Sequence, residues 1–211
     1  GKTTTARLIA KALNCEKNID DKVECSKDKL CQTCEEIINS NHIDILEMDA
    51  ASKTGIDDIR ELIENSKYSP TSAQYKIFII DEVHMLSKQA FNGLLKTLEE
   101  PPSRLKFILA TTEVRKIPVT ILSRCQRFDL KRVSVEKLFK HLKFILEKES
   151  GKVSDDALKL IAKSSEGSVR DSISLLDRAL ISQKSVSKII MEPDIREMLG
   201  LADRSKIILL L

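Results

Sequence analysis

The chain has 211 residues, 42% of them apolar and 32% charged, which is enough to bury a real core in one large domain or two smaller ones. Lys and Arg number 35 against 32 Asp and Glu, a net charge of +3; this excludes nucleic-acid binding driven by bulk charge, so any basic surface must be local. No apolar run approaches about 18 residues, which excludes a helical membrane span, and no signal-peptide pattern is present.

Taken in chain order, the sequence opens on GKTTTARLIAKALNC with no strand before it and stops inside the apolar KIILLL, which reads as an internal piece of a longer polypeptide. Ala6, Leu8, Ile9, Ala12 and Leu13 recur at helical spacing, predicting a helix over 2–14. A cysteine-bearing insert follows to Cys34, then a short helix near Glu35–Ser40. IDILEMD (43–49), KIFIID (76–81) and LKFILATT (105–112) are short apolar runs ending in polar residues, the pattern of strands buried on both faces of a parallel sheet. Helical patterns lie between them at Ile56–Asn65 and Lys88–Glu100, the second stopped by Pro101 and Pro102. QRFDL (126–130) is a fifth, shorter strand candidate. Strands alternating with helices predict a doubly wound α/β sheet. After about Arg132 the strands cease, and helices at 135–149, 154–165 and 168–182 predict a small helical domain. A looser segment occupies 183–193, and another helical unit starts from Pro193.

GKTT at 1–4 is the tail of the P-loop pattern, in which backbone amides and a helix N-terminus cradle phosphates, the lysine meets the β and γ groups and the hydroxyl holds magnesium. Gly1, Lys2, Thr3 and Thr4 are therefore the nucleotide-binding candidates, with Lys2 as the cation and Thr3 as the magnesium ligand. An ordinary helix N-terminus is the competing reading. Asp81 and Glu82 close the 76–81 strand at its carboxyl end, where ligands bind in open α/β sheets. There Asp81 can serve the magnesium shell and Glu82 can orient and deprotonate a water, against the alternative that both acids merely cap the next helix. Together with GKTT, this favours nucleotide hydrolysis.

Five cysteines stand at 15, 25, 31, 34 and 125. Cys15, Cys25, Cys31 and Cys34 read C-x9-C-x5-C-x2-C; four thiolates make a closed, structural zinc site with no position left for water. The polar EKNIDDKVECSKDK offers no core in which to bury free cysteines instead. In the helical region, GSVRDSISLL sets Arg170 in a first helical turn behind a Ser168–Asp171 cap. A cation there opposes the helix dipole, which points to another anion for it to meet, against the alternative of an ordinary exposed helix arginine. Arg124, in TILSRCQRF, lacks a close carboxylate in sequence, Asp129 being the next.

DEVHMLSKQAFNGLLKTLEEPPSRLKFILATT followed by TILSRCQRF closely resembles the gamma/tau subunits of the bacterial DNA polymerase III clamp loader, which are AAA+ ATPases; the likeness runs from Gly1 to about Gly200. The resemblance implies an AAA+ parallel sheet sandwiched by helices over 1–132, with a zinc insert at 15–34, its first strand and first P-loop glycine lying upstream. A small all-helical lid then follows over 133–192, and a C-terminal helical oligomerisation domain begins at 193–211. It further implies ATP, Mg2+ and structural Zn2+ as cofactors. Arg124 becomes an arginine finger acting in trans on a neighbour's γ-phosphate, and Arg170 a lid arginine (sensor 2) reaching the same chain's nucleotide. Of Thr111 and Thr112, Thr112 is favoured as the hydroxyl that senses the γ-phosphate (sensor 1). Cys125 is a packed small residue rather than a ligand. Lys53 and Arg60 match positions that track DNA phosphates, while Gly55 stands where a basic residue is expected; the contacts would be independent of sequence and sensitive to salt. The implied partners are the delta and delta-prime subunits, further gamma/tau copies, the sliding clamp, primer–template DNA and the polymerase core, all in the bacterial cytoplasm. Two other readings stay open: a non-hydrolysing scaffold like delta-prime, which GKTT with DEVH argues against, and a Holliday-junction branch-migration motor or other AAA+ helicase, which the cysteine insert disfavours.

Overall fold

The computed structural model describes residues 1–19, 22–23, 25, 30–53, 55–149, 151–182 and 189–201, with the side chains at 18, 19, 22 and 23 left aside. The expectations for KIILLL, for 183–188 and for most of the polar insert lie outside these residues. Contacts divide the chain into one unit over Lys2–Asp129 and another from Leu130 onward, with which Gly1 is grouped. No helix among the described residues is long and apolar enough to cross a membrane.

The first unit opens with α1 (Lys2–Asn14), an antiparallel pair of two-residue strands β1 and β2 (Asn18–Ile19, Lys22–Val23) and α2 (Gln32–Ile38). Three strands then alternate with helices: β3 (Ile45–Asp49), α3 (Ile56–Ser66), β4 (Lys76–Asp81), α4 (Lys88–Glu99), β5 (Leu105–Leu109) and α5 (Val119–Leu122). The sheet is parallel in the order β3-β4-β5, with Ile45 opposite Ile77 and Ile77 opposite Lys106. β4 is central and buried from Lys76 to Ile80. Its side chains alternate between faces: Phe78 and Ile80 join Ile59 and Leu62 of α3 and Phe91 and Leu94 of α4, whereas Ile77 and Ile79 pack on Ala6 and Ala10 of α1 and Ile37 of α2. A strand covered on both faces must be apolar at every position, which is why KIFII does not alternate.

The segment 126–130 is not a strand. It gains no neighbour in the ladder, Phe128 stays 72% exposed, and Arg127 pairs with Asp129 two residues on at 2.8 Å. Residues 110–112 leave β5 as well: the chain turns after Ala110, whose carbonyl accepts from the Val83 amide at 3.0 Å.

The second unit packs α6 (Val135–Glu149), α7 (Asp155–Ser164), α8 (Val169–Ile181) and α9 (Glu192–Met198). Leu138, Leu142 and Leu146 form a stripe on α6 that meets Leu158 and Ile161 of α7 and Leu176 of α8. Ile195 of α9, the helix expected to open a further unit, is buried in the same core. Gly167 has φ +81, and a Cβ there would lie 2.7 Å from the Arg132 Cβ, so both the backbone and the close approach require glycine.

Asp44, just before β3, is 1% exposed, and its carboxylate accepts the amides of Thr71, Ser72 and Ala73 at 2.8, 2.8 and 2.9 Å. Burial pushes its pKa up, but these amide bonds outweigh burial and hold it below the usual carboxylate range. A depressed folded pKa gives stability that is complete above the unfolded value and is lost as pH falls toward the folded one. Asp44→Asn is therefore expected to cost about 2 kcal/mol at neutral pH. Urea unfolding should also show the wild type losing more stability than the variant as pH drops below about 4.

Candidate functional site

The site is built where α1 meets the carboxyl end of β4. α1 lies antiparallel on β4 and is held at both ends. At its far end the buried Asn14 donates to the Tyr75 carbonyl and accepts from the Tyr75 amide, both at 2.8 Å. At its near end the Thr3 hydroxyl donates to Asp81 Oδ2, and Lys2 Nζ lies 3.3 Å from Glu82 Oε1. The helix thereby aims its N-terminal amides and the positive end of its dipole at the space above the two acids. Asn14 was not singled out in the sequence, because an asparagine at a helix end carries no sign of the strand it will bind.

Successive strand residues point to opposite faces, so Asp81 and Glu82 could not share a site if β4 ran straight on. Glu82 takes up left-handed backbone angles, φ 45 and ψ 43, between β4 and a 3-10 turn over Val83–Met85. A non-glycine residue there costs on the order of 1–3 kcal/mol. The bend turns the Glu82 carboxylate toward Lys2 and Thr112, and Asp81 Oδ1 accepts the Glu82 amide at 2.9 Å. Thr112 donates its hydroxyl to Glu82 Oε2 at 3.1 Å and its amide at 3.3 Å. Thr111 instead meets His84 Nδ1 at 3.0 Å. His84, which the sequence reading passed over, has a side chain only 6% exposed; its Nδ1 lies 3.4 Å from Glu82 and its Nε2 3.5 Å from Glu113. A hydrogen bond from Lys116 holds the Glu113 carboxyl below its ordinary range. Lys2, Thr3, Asp81, Glu82 and Thr112 thus form one polar cluster, with Gly1 and Thr4 adjoining in the chain.

Arg124 follows α5, and none of these five residues is among its partners. Its guanidinium has a carboxylate after all: Nη2 pairs with Glu99 at the end of α4, and Nη1 donates to the Thr120 carbonyl at 2.6 Å. The pairing spans 25 positions, so no scan of sequence neighbours finds it. Cys125 packs against the core around β4, and burial pushes its thiol pKa up. In the second unit Arg170 is exposed in the first turn of α8, where the Ser168 hydroxyl accepts the Asp171 amide at 3.2 Å; Arg170 has no ion pair among the described residues. Lys53 is exposed before α3, and Arg60 is exposed and paired with Asp57 at 2.9 Å.

The sulfurs of Cys15, Cys25, Cys31 and Cys34 all lie within 4.8 Å of one another, and those of Cys15 and Cys25 are 3.4 Å apart. Four sulfurs bound tetrahedrally at about 2.3 Å from zinc stand about 3.8 Å apart, so the donor set fits. The irregular spacing is absorbed by the helices: Cys15 directly follows α1, while Cys31 and Cys34 flank the first turn of α2. Burial pushes the Cys34 thiol well up. For Cys31, burial is outweighed by hydrogen bonds from the Cys34 amide and neighbouring groups, which bring it down to about 7.

Comparison with known proteins gives the family. Residues 1–134 match the family described as DNA polymerase III, delta subunit, and residues 137–184 match the DNA polymerase III clamp loader subunit, ATPase lid domain. The chain is 47% identical over its whole length to DNA polymerase III subunit gamma of Buchnera aphidicola subsp. Schizaphis graminum, covering 56% of that protein. It is 49% identical over 86% of its length to subunit tau of Escherichia coli, covering 28% of that protein. It therefore spans about half the length of the gamma relative and less of the tau relative. Among solved structures, the Holliday junction branch migration motor RuvB of Thermotoga maritima superposes with a TM-score of 0.59 at 20% identity, covering 78% of this chain and 55% of that one; this is a likeness of fold alone. With the profiles spanning both units and the relatives matching across them, the chain belongs to the gamma/tau family of DNA polymerase III clamp-loader subunits, on an AAA+ fold.

Proposed function

We propose that this chain is the motor part of an ATP-hydrolysing clamp-loader subunit, which with sister subunits opens a sliding clamp and places it on primed DNA in the bacterial cytoplasm. The convergence of Lys2 and Thr3 on Asp81 and Glu82 supports this most directly. The N-terminal amides of α1, from Gly1 through Thr4, and the Lys2 ammonium bind the β- and γ-phosphates of ATP. The Thr3 hydroxyl and the Asp81 carboxylate are the groups that would hold Mg2+, which neutralises charge on the phosphates when bound. Glu82 exchanges its link to Lys2 for a water, which it orients and deprotonates. Thr112, already bonded to Glu82, reports the γ-phosphate to that base. Arg170 reaches the same chain's nucleotide from the lid.

Arg124 completes the site of a neighbouring protomer, where its planar fork matches a phosphoryl group. Hydrolysis then depends on assembly with delta, delta-prime and further gamma/tau copies, and the polymerase core joins the same complex. Lys53 and Arg60 meet phosphates of the primer–template; the exposed Asp57 pair on Arg60 is weak enough for a phosphate to displace. The four cysteines hold a structural zinc, which ties the insert to the end of α1.

The second reading is a scaffold subunit like delta-prime that hydrolyses nothing. Steady-state ATP turnover of an assembly of full-length subunits separates the two. Lys2→Ala is expected to lower turnover by about 10²-fold or more, and unchanged turnover would leave the scaffold reading standing. Arg124→Ala is expected to lower it by about 10³-fold while nucleotide binding to the subunit itself is retained. Metal analysis should find about one zinc per chain, with Cys34→Ser losing the zinc and lowering the melting temperature.

A further inference from the structure

The geometry points to Glu99 as a positioning residue for Arg124: its carboxylate and the Thr120 carbonyl hold the guanidinium in place before a neighbour's nucleotide arrives. This inference rests on the reading of Arg124 as a finger acting in trans.

Arg124 sits on a turn after a four-residue helix, and a long side chain leaving such a turn has many rotamers to lose. Two acceptors on two different elements remove that freedom. Glu99 ends α4 and takes Nη2, while Thr120 lies in α5 and takes Nη1 at 2.6 Å, with the Ser123 hydroxyl at 3.5 Å. Nε has no partner among the described residues, so Nε–H and one Nη2–H are left to meet a phosphoryl oxygen. One part of the fork is anchored and the other is free, which is the arrangement that an arginine presented to a second molecule requires.

The position of Glu99 is not explained by its own helix. α4 halts before Pro101 and Pro102, and a carboxylate in a last helical turn faces the negative end of the dipole. Lys or Arg would stabilise that end. Glu99 gains compensation through Arg124, with the side chains 48% and 33% exposed respectively. An ordinary surface ion pair of this exposure contributes little to folding, so the pair's consequence lies in where it keeps the guanidinium. The carboxylate also neutralises part of the arginine's charge while the subunit is free, which limits its capture by stray anions before assembly.

The experiment uses full-length subunits in the assembled complex, with steady-state kinetics for Glu99→Gln, Arg124→Ala and the double variant. Glu99→Gln keeps the size of the side chain and removes its charge. It is expected to lower kcat about 10-fold while the KM for ATP stays within about 2-fold. In the Arg124→Ala background the same change is expected to have no further effect, because the residue it positions is already gone. Glu99→Asp, which restores the charge, is expected to recover part of the kcat. A Glu99→Gln complex with unchanged or raised kcat, or an equal loss with and without Arg124, would overturn the positioning role. A full-speed Arg124→Ala complex would instead remove the finger reading itself, so the two failures are told apart.

Discussion

The cluster of Lys2, Thr3, Asp81 and Glu82 depends on one docking, that of α1 along β4. Ala6 and Ala10 are small enough to let the helix lie close on Ile77 and Ile79, and the buried Asn14 closes both backbone bonds of Tyr75. The Asn14 pairing fixes the helix along its own axis as well as its distance from the sheet. The helix N-terminus, Lys2 and Thr3 then arrive at Asp81 and Glu82, where their own contacts hold the near end. Hydrophobic burial and dispersion set the helix on the sheet, and the polar contacts at its two ends set its register.

What the docking presents is a carboxylate with too many partners. Glu82 is shared by Lys2, Thr112 and His84, and the left-handed turn that puts it there is paid for by the packing of β4 beneath it. In the proposed reaction, Glu82 is a base that gains its water only when an anion draws Lys2 aside. On that proposal the site answers to the phosphate it receives, with the Thr112 bond holding the Glu82 carboxylate in place as Lys2 departs.

Much of this was legible in the residues, and the limits are physical. β4 read clearly because burial on both faces leaves no polar position to confuse the pattern. Helices α6, α7 and α8 read clearly because Leu138, Leu142, Leu146 and their partners recur at helical spacing under serine caps. The cysteine cluster was found in spite of its uneven gaps, since the fold closes sulfurs that the sequence sets ten and six positions apart. QRFDL misled because aromatic and apolar residues resemble a strand whether or not another strand is there to pair with. Asn14, His84 and Glu99 went unnoticed for a shared reason: each acts on a residue of another element, and only the fold brings the partners together.

The position of the cysteines has one more implication. Cys15 is the residue next to Asn14, so any ion held by the four sulfurs grips the tail of the same rigid strut whose head carries Lys2. Thirteen residues of helix put about 20 Å between the two ends, yet a rod transmits slack along its length. On the proposed reading of both sites, thiol oxidation or metal theft at the insert would loosen the Asn14 anchorage and with it the placement of Lys2 over the two acids.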